Sequence, residues 1–187
     1  PDIIGGVILA QGITNGPTPE HLQTAYQAEQ EAVKERIGNT PLSQIQSLEA
    51  WRGAFRRFGV DPTQYRSAAE ALLRRLTKKG DIPSINLLVD IGNMISIRYA
   101  LPVAVIDAQA VQGAITVHFA DGSEHSSMLG KNESDHPEPG EVIFSDEAGQ
   151  VIARRWCWRQ GEESAAHATT TEVIIAIEAH HANGRSD

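Results

Sequence analysis

The chain is poor in cysteine. One residue, Cys157, serves 187 positions, which excludes an internal disulfide and any cysteine-cluster metal site. That usage fits a reducing cytoplasm. No apolar run approaches the roughly 18 residues that cross a bilayer, so no membrane partner is expected. The start, "PDIIGGVILAQG", carries an early acidic residue and no basic flank. It reads as a strand rather than a signal peptide. Catalytic signatures are missing too: there is no GxGxxG, GxxxxGK[ST], HExxH or GxSxG. No cofactor or metal is expected, and no catalytic residue can be assigned. Cys157, between bulky neighbours in "RRWCWR", reads as a structural thiol rather than a nucleophile. The adjacent pair His180 and His181 gives no metal-ligand spacing.

What is present is an ordinary globular composition, 41% hydrophobic and 21% charged, with net charge −8. An acidic total argues against nonspecific nucleic-acid binding, and no DNA partner is expected. The distribution differs from the total. Arg52, Arg56, Arg57, Arg66, Arg74, Arg75, Lys78 and Lys79 crowd one segment against only Asp61 and Glu70, a local net of +6. This is either a solvated helical face or a phosphate-binding one.

Helical signals fill the first half. Thr18 as cap, Pro19 and a closing Gly38 bound a helix whose stripe is Leu22, Ala25, Ala28, Ala32 and Val33. A second is expected over 43–58, with Ile45, Leu48, Trp51 and Phe55 inward and Arg52, Arg56 and Arg57 outward. A third begins near a cap at Asp61 or Thr63, turns Leu72, Leu73 and Leu76 inward, and stops at Gly80. A fourth starts from Ser84, with Ile85, Leu88, Val89 and Ile95 on its core side, before Pro102. Beyond lie short β-rich runs: "VAVIDAQ", "AITVHFA", "EVIFSD", "QVIARRW" and "TEVIIAIEA", divided by turn sequences and a polar loop at 131–140. The order is α+β. One domain over 1–187 is expected, helical over about 18–100 and β-rich over about 103–180.

Two stretches are chemically unusual. In "GDIPSINLLVDIGN" (80–93), Asn86, Asp90 and Asn93 share one side of a helix. Buried amides and carboxylates need satisfied bonds. These three therefore form either a structural network reaching the strand of Asp107 or a pocket wall. In "ARRWCWRQGEES", read as a strand, Trp156 and Trp158 share a face beside Arg154, Arg155 and Arg159. Such residues stack on bases and pair phosphates, or build a core with an arginine–carboxylate clamp.

Residues 82–107, "IPSINLLVDIGNMISIRYALPVAVID", resemble a segment of the bacterial phenylalanyl-tRNA synthetase beta subunit. Ile85, Asn86, Val89, Asp90, Asn93, Pro102 and Asp107 keep its pattern. "PEPGEVIFSDEAGQVIA" and "TTTEVIIAIEA" are similar to later stretches, so the likeness spans about 45–180. It implies that subunit's α+β editing module, which hydrolyses tyrosine wrongly attached to phenylalanine tRNA. The partner implied is tRNA or aminoacyl-tRNA. Arg52, Arg56, Arg57, Arg74, Arg75, Lys78 and Lys79 would hold phosphates. Asn86, Asp90, Asn93, Glu178, Trp156 and Trp158 would form the pocket, with Glu178 matching the carboxylate that reads the phenol oxygen. There are departures. Ala104 stands for the family's histidine, Leu87 for an asparagine and Gly92 for a threonine. "RRWCWRQG" replaces a glycine-rich loop through which substrate approaches the backbone. The length holds no aminoacylation or anticodon-binding domain. A trans-acting deacylase of mischarged tRNA is one expectation; a non-enzymatic module binding a small amino-acid-like ligand or a protein is the other.

Overall fold

A computed structural model describes residues 3–127, 134–182 and 184. Strand β1 (Ile4–Gln11) leads into four helices: α1 (Glu20–Ile37), α2 (Gln46–Arg57), α3 (Ala68–Lys79) and α4 (Leu87–Tyr99). Strands follow: β2 (Val103–Asp107), β3 (Thr116–Phe119), β4 (Ser126–Ser127), β5 (Ser134–Asp135), β6 (Val142–Ser145), β7 (Val151–Arg154), β8 (Arg159–Gln160) and β9 (Glu172–Ala179). The fold class is α+β, as the order of periodicities requires. The chain's last strand closes the first sheet: β9 pairs antiparallel with both β1 and β2. The second sheet runs β3-β6-β7-β8, all antiparallel. Part of the expected polar loop, residues 131–133, lies outside the described residues; Ser134–Asp135 instead pairs with Ser126–Ser127.

The helical core gathers Tyr26, Val33, Ile37, Leu48, Leu73, Leu76 and Ile97. On α1 the buried face is Tyr26, Gln30, Val33 and Ile37, while Ala25, Ala28 and Ala32 are exposed. Alanine suits a helix anywhere on its circumference, so the large side chains choose the inner face. Helix α3 starts later than expected. Ser67 is its cap and accepts from the Glu70 N–H, whereas Asp61 closes a local turn onto the Thr63 N–H. Leu72 is only half-buried beside Leu73 and Leu76. Gly80 ends α3 at φ 91°, as its lack of a Cβ allows. Asn86, not Ser84, caps α4, and Ile85 is exposed.

The hydroxyls of Thr18 and Ser84 have another task. Thr18 Oγ1 donates to Asp90 Oδ2 at 2.5 Å, Ser84 Oγ donates to the same oxygen, and the Ile85 N–H donates to Oδ1. Asn86 accepts from Val89 N and Asn15 Nδ2 and donates to the Ala166 carbonyl. Asp107 accepts from Thr170 Oγ1 at 2.6 Å, and Asn15 donates to the His167 carbonyl. The loop 164–171 thus ties the start of α4 to the strand of Asp107. Helix α4 then lies close on β2, where a Cβ on Gly92 would stand 2.6 Å from Val105 Cγ2.

Candidate functional site

Of the expected pocket residues, the structure brings together Glu178, Trp156 and Trp158. It sets Asn86 and Asp90 apart, as capping and bridging groups with their polar atoms engaged. Asn93 is half-buried on α4, facing the Tyr26 phenol. None of the three lines the cavity described next.

That cavity, about 120 Å³, lies between the two sheets. Ala104, Ile106, Ala176 and Glu178 come from the first sheet, Phe144 and Ile152 from the second, and Trp156, Cys157 and Trp158 from the turn after β7. A dry hole of about 150 Å³ accommodates a benzene-sized guest, so this one has the scale of a single amino-acid side chain. Phe144 and Ile106 were not expected at a site, and Ala104 was singled out only as standing for the family's histidine. Their alternation marks them as strand residues, but only the facing of two sheets makes them a wall.

The turn is not the continuous strand that its alternation suggests. Arg155 (φ 44°) and Trp156 (φ 62°) both occupy the left-handed region usual for glycine. They stand where the resemblance places a glycine-rich loop: the unusual backbone is kept and the side chains are large. Such residues cost of order 1–3 kcal/mol each unless their surroundings impose the conformation. Here Glu141 imposes it. Buried Arg154 makes a bidentate pair to Glu141 at 2.8 and 2.7 Å, and the Arg155 N–H donates to the same carboxylate. The Trp156 N–H donates to the Val142 carbonyl. Arg155 lies 3.9 Å from the Tyr65 ring centre.

So held, Trp156 packs among Trp51, Phe58, Phe144 and His180, and its indole Nε1 donates to Glu178 Oε2 at 2.7 Å. Burial raises Glu178 above the usual carboxylate range, and the indole bond draws it partly back. Burial, then Glu178's charge, pushes the Cys157 thiol well above its usual range, which leaves it without thiolate reactivity. His180 is buried beneath Trp51, and its pKa is lowered first by burial and then by Arg57. Neither ring nitrogen of His180 has a hydrogen-bond partner among the described residues.

Beside the cavity runs a broader cationic groove lined by Arg66, Arg74, Arg75, Lys78, Lys79 and Arg159. Arg74, Arg75 and Lys78 share one face of α3. The helix docks on the turn through the Ala68 N–H, which donates to the Cys157 carbonyl at 2.7 Å. Trp158 and Arg159 therefore border both the cavity and the groove. Arg56 and Arg57 are exposed on α2 and lie outside the groove. Arg52 does not point outward as expected: its guanidinium is drawn onto buried Glu70. Arg159, singled out in the sequence with Arg154 and Arg155 beside the two tryptophans, is the arginine of those three that lines the groove.

Among the described residues no group of three or more histidine, cysteine or acidic side chains could hold a metal, and no helix is long and apolar enough to cross a membrane. The chain is 35% identical over 107 residues to the phenylalanine–tRNA ligase beta subunit of Nitrobacter winogradskyi, covering 57% of this chain and 13% of that protein. It is 29% identical over 118 residues to the Streptomyces avermitilis beta subunit, covering 63% and 14%. It thus spans about an eighth of these relatives' length. The solved N-terminal fragment of the phenylalanyl-tRNA synthetase beta subunit from Pyrococcus horikoshii matches with TM-score 0.43 and 13% identity, over 51% of this chain and 35% of that one. The B3/4 domain model matches residues 50–185, the span that builds the cavity, the clamped turn and the cationic helix, and the chain belongs to the B3/4 domain family.

Proposed function

We propose that this chain binds tRNA carrying an amino acid, as a single domain working in the cytoplasm. One observation carries the reading: Trp158 and Arg159 border both an apolar cavity of side-chain size and a cationic groove. A charged tRNA end presents that combination, an amino-acid side chain linked to successive phosphates. Phosphates suit Arg74, Arg75, Lys78 and Lys79, and the terminal base suits the half-buried Trp158 with its flanking arginines. The resemblance to phenylalanine–tRNA ligase beta subunits supports the same partner.

Hydrolysis of the ester is the further step. Among the described residues lining the cavity no nucleophile–base pair supports it: burial holds the Cys157 thiol well above its usual range and Glu178 Oε2 is engaged with Trp156. A deacylase built here would have to use a water positioned by the substrate itself. The alternative, a module for a small amino-acid-like ligand, is favoured by the cavity alone and leaves the groove without a role. Correctly and incorrectly charged tRNAs, each incubated with the protein, separate these readings when retention and ester loss are measured independently. Retention of charged over uncharged tRNA is expected. Ester loss would add the deacylase step, and no retention of any tRNA would remove the proposal.

A further inference from the structure

Strand β1 is a free edge of the first sheet: among the described residues no strand pairs beyond it. The Glu178 N–H donates to the Pro102 carbonyl, so the even-numbered backbone groups of β9 face β2 and the odd-numbered ones face β1. The register Gly5↔Glu178, Val7↔Ala176 and Leu9↔Ile174 then turns the N–H and C=O groups of Gly5, Val7, Leu9 and Gln11 outward. Natural edges are commonly blunted by a charge, a proline or shortness. This one is eight residues long, IGGVILAQ, with neither charge nor proline. Val7, Ile8 and Leu9 are 67%, 54% and 72% exposed. Gly5 and Gly6 add a second sign. A Cβ on either would meet nothing within 4 Å, and neither has positive φ, so the packing of this chain does not call for glycine there. Close approach by an outside backbone does.

We propose that a second copy of this chain covers the edge, β1 against β1 and antiparallel, with Ile8 on the two-fold axis. In that register Val7 faces the partner's Leu9, and Gly5 faces the partner's Gln11. All four outward positions of each strand then exchange hydrogen bonds, about eight in all. Ile8 stands opposite the partner's Ile8 and diagonal to the partner's Gly6. Beside Gly6 of each chain, Ile95, Tyr99 and Ile177 wall an apolar depression that can seat this side chain. The occupant is a second copy because the edge offers a foreign strand no charge to recognise, whereas its twin matches it in length, neutrality and bond spacing. Each chain carries net −8, and two such molecules meet here at an uncharged strand. The pairing also closes. At the sheet's other edge, β2, the Asp107 N–H already donates to the Ser164 carbonyl and Gln160 Nε2 to the Val105 carbonyl. The joined sheet, β2-β9-β1-β1-β9-β2, is therefore covered at both outer edges and stops at two chains. Neither the cavity nor the cationic groove takes part.

Sedimentation equilibrium of the full chain between about 1 and 100 μM is the test. The mass should rise toward twice the 20.3 kDa of one chain and go no further. Ile8→Lys sets two cations opposite each other across the axis and should weaken association roughly tenfold or more. Val7→Pro removes a donor that points away from β9 and should weaken it too. Register is read by crosslinking in a Cys157→Ser background. Opposite residues of a non-hydrogen-bonded pair lie about 4.5 Å apart at Cα, within disulfide reach, so Ile8→Cys should link two chains under mild oxidation. Phe119→Cys, on the four-residue strand β3 at an edge of the second sheet and 69% exposed, should not. A single-chain mass at every concentration overturns the proposal. So does a mass that climbs past two chains, an association that Ile8→Lys leaves unchanged, or a dimer that links through Phe119→Cys and not Ile8→Cys. Should Ile8→Lys fail to fold, the wild-type mass and the two cysteine variants decide.

Discussion

The Arg52 guanidinium lies 2.7 Å from the Glu70 carboxylate, with side-chain exposures of 16% and 7%. A cation that the helical pattern turns toward solvent is thereby removed from the phosphate-binding set and becomes part of the seam between α2 and α3. Arg66, at 3.8 Å, is the second cation facing Glu70. Burial nonetheless holds Glu70 above the ordinary carboxylate range. Arg52→Met should therefore strand a buried charge and destabilise the fold by about 3 kcal/mol, whereas Arg52→Met with Glu70→Leu should recover most of the loss. Urea unfolding of the three proteins checks this; equal stability of the single and double variants would refute it.

The groove cations should behave oppositely. Arg74→Ala and Lys78→Ala remove exposed groups and should change stability by less than about 0.5 kcal/mol. Each should weaken tRNA binding and reduce the slope of log affinity against log salt by roughly one. Arg56→Ala with Arg57→Ala, on α2, should leave that slope unchanged. Filter binding across a salt series gives the comparison, and a slope that responds to α2 but not to α3 would move the docking face.

Acid should act through His180. Its folded pKa lies below the ordinary 6.5, because burial, then Arg57, disfavours the imidazolium. The unfolded chain then binds the proton first, so stability present above about pH 6.5 is lost as pH falls toward the folded value. His180→Phe should flatten that loss. Glu178 and Glu70 have the opposite sign. Raised above 4.5, each favours the folded state as pH falls through its folded value toward 4.5. Glu178→Gln should remove its share of that gain. Thermal unfolding of wild type and variants between pH 4 and 8 reads both curves, and a His180→Phe curve parallel to wild type would contradict the assignment.

Gly92→Ala sets helix propensity against packing. Alanine is favoured in a helix by about 1 kcal/mol. Its methyl would meet Val105 Cγ2 at 2.6 Å, on a buried β-branched side chain with little rotamer freedom. Overpacking of this kind costs about 1–3 kcal/mol, so the net effect should be destabilising by about 1 kcal/mol. A rise in melting temperature would show that α4 can lift from β2 freely.

The helices were legible because their stops and large apolar faces are local: Leu73 and Leu76 with Gly80, or Trp51 with Phe55. Errors arose where a local cue had a distant use. Thr18 and Ser84 are good capping residues by type, but their hydroxyls converge on Asp90 across 72 and 6 positions. Asn86, Asp90 and Asn93 were recognisable as a polar rank; which of two roles they take depended on where loop 164–171 lies. At the site, Glu178, Trp156 and Trp158 were named from residue type and resemblance. The cavity wall was not, because alternation in "VAVID" and "EVIF" does not tell which faces of two sheets oppose. Alternation in "RRWCW" misled outright. Glu141 and Val142 bend that segment through positive φ at Arg155 and Trp156.

All three tryptophans, Trp51, Trp156 and Trp158, belong to the aromatic cluster at this turn. The native chain consequently carries its own optical probe. Any guest that perturbs the indole–carboxylate contact should change ultraviolet emission arising almost wholly from the place it occupies, without a dye or label being attached.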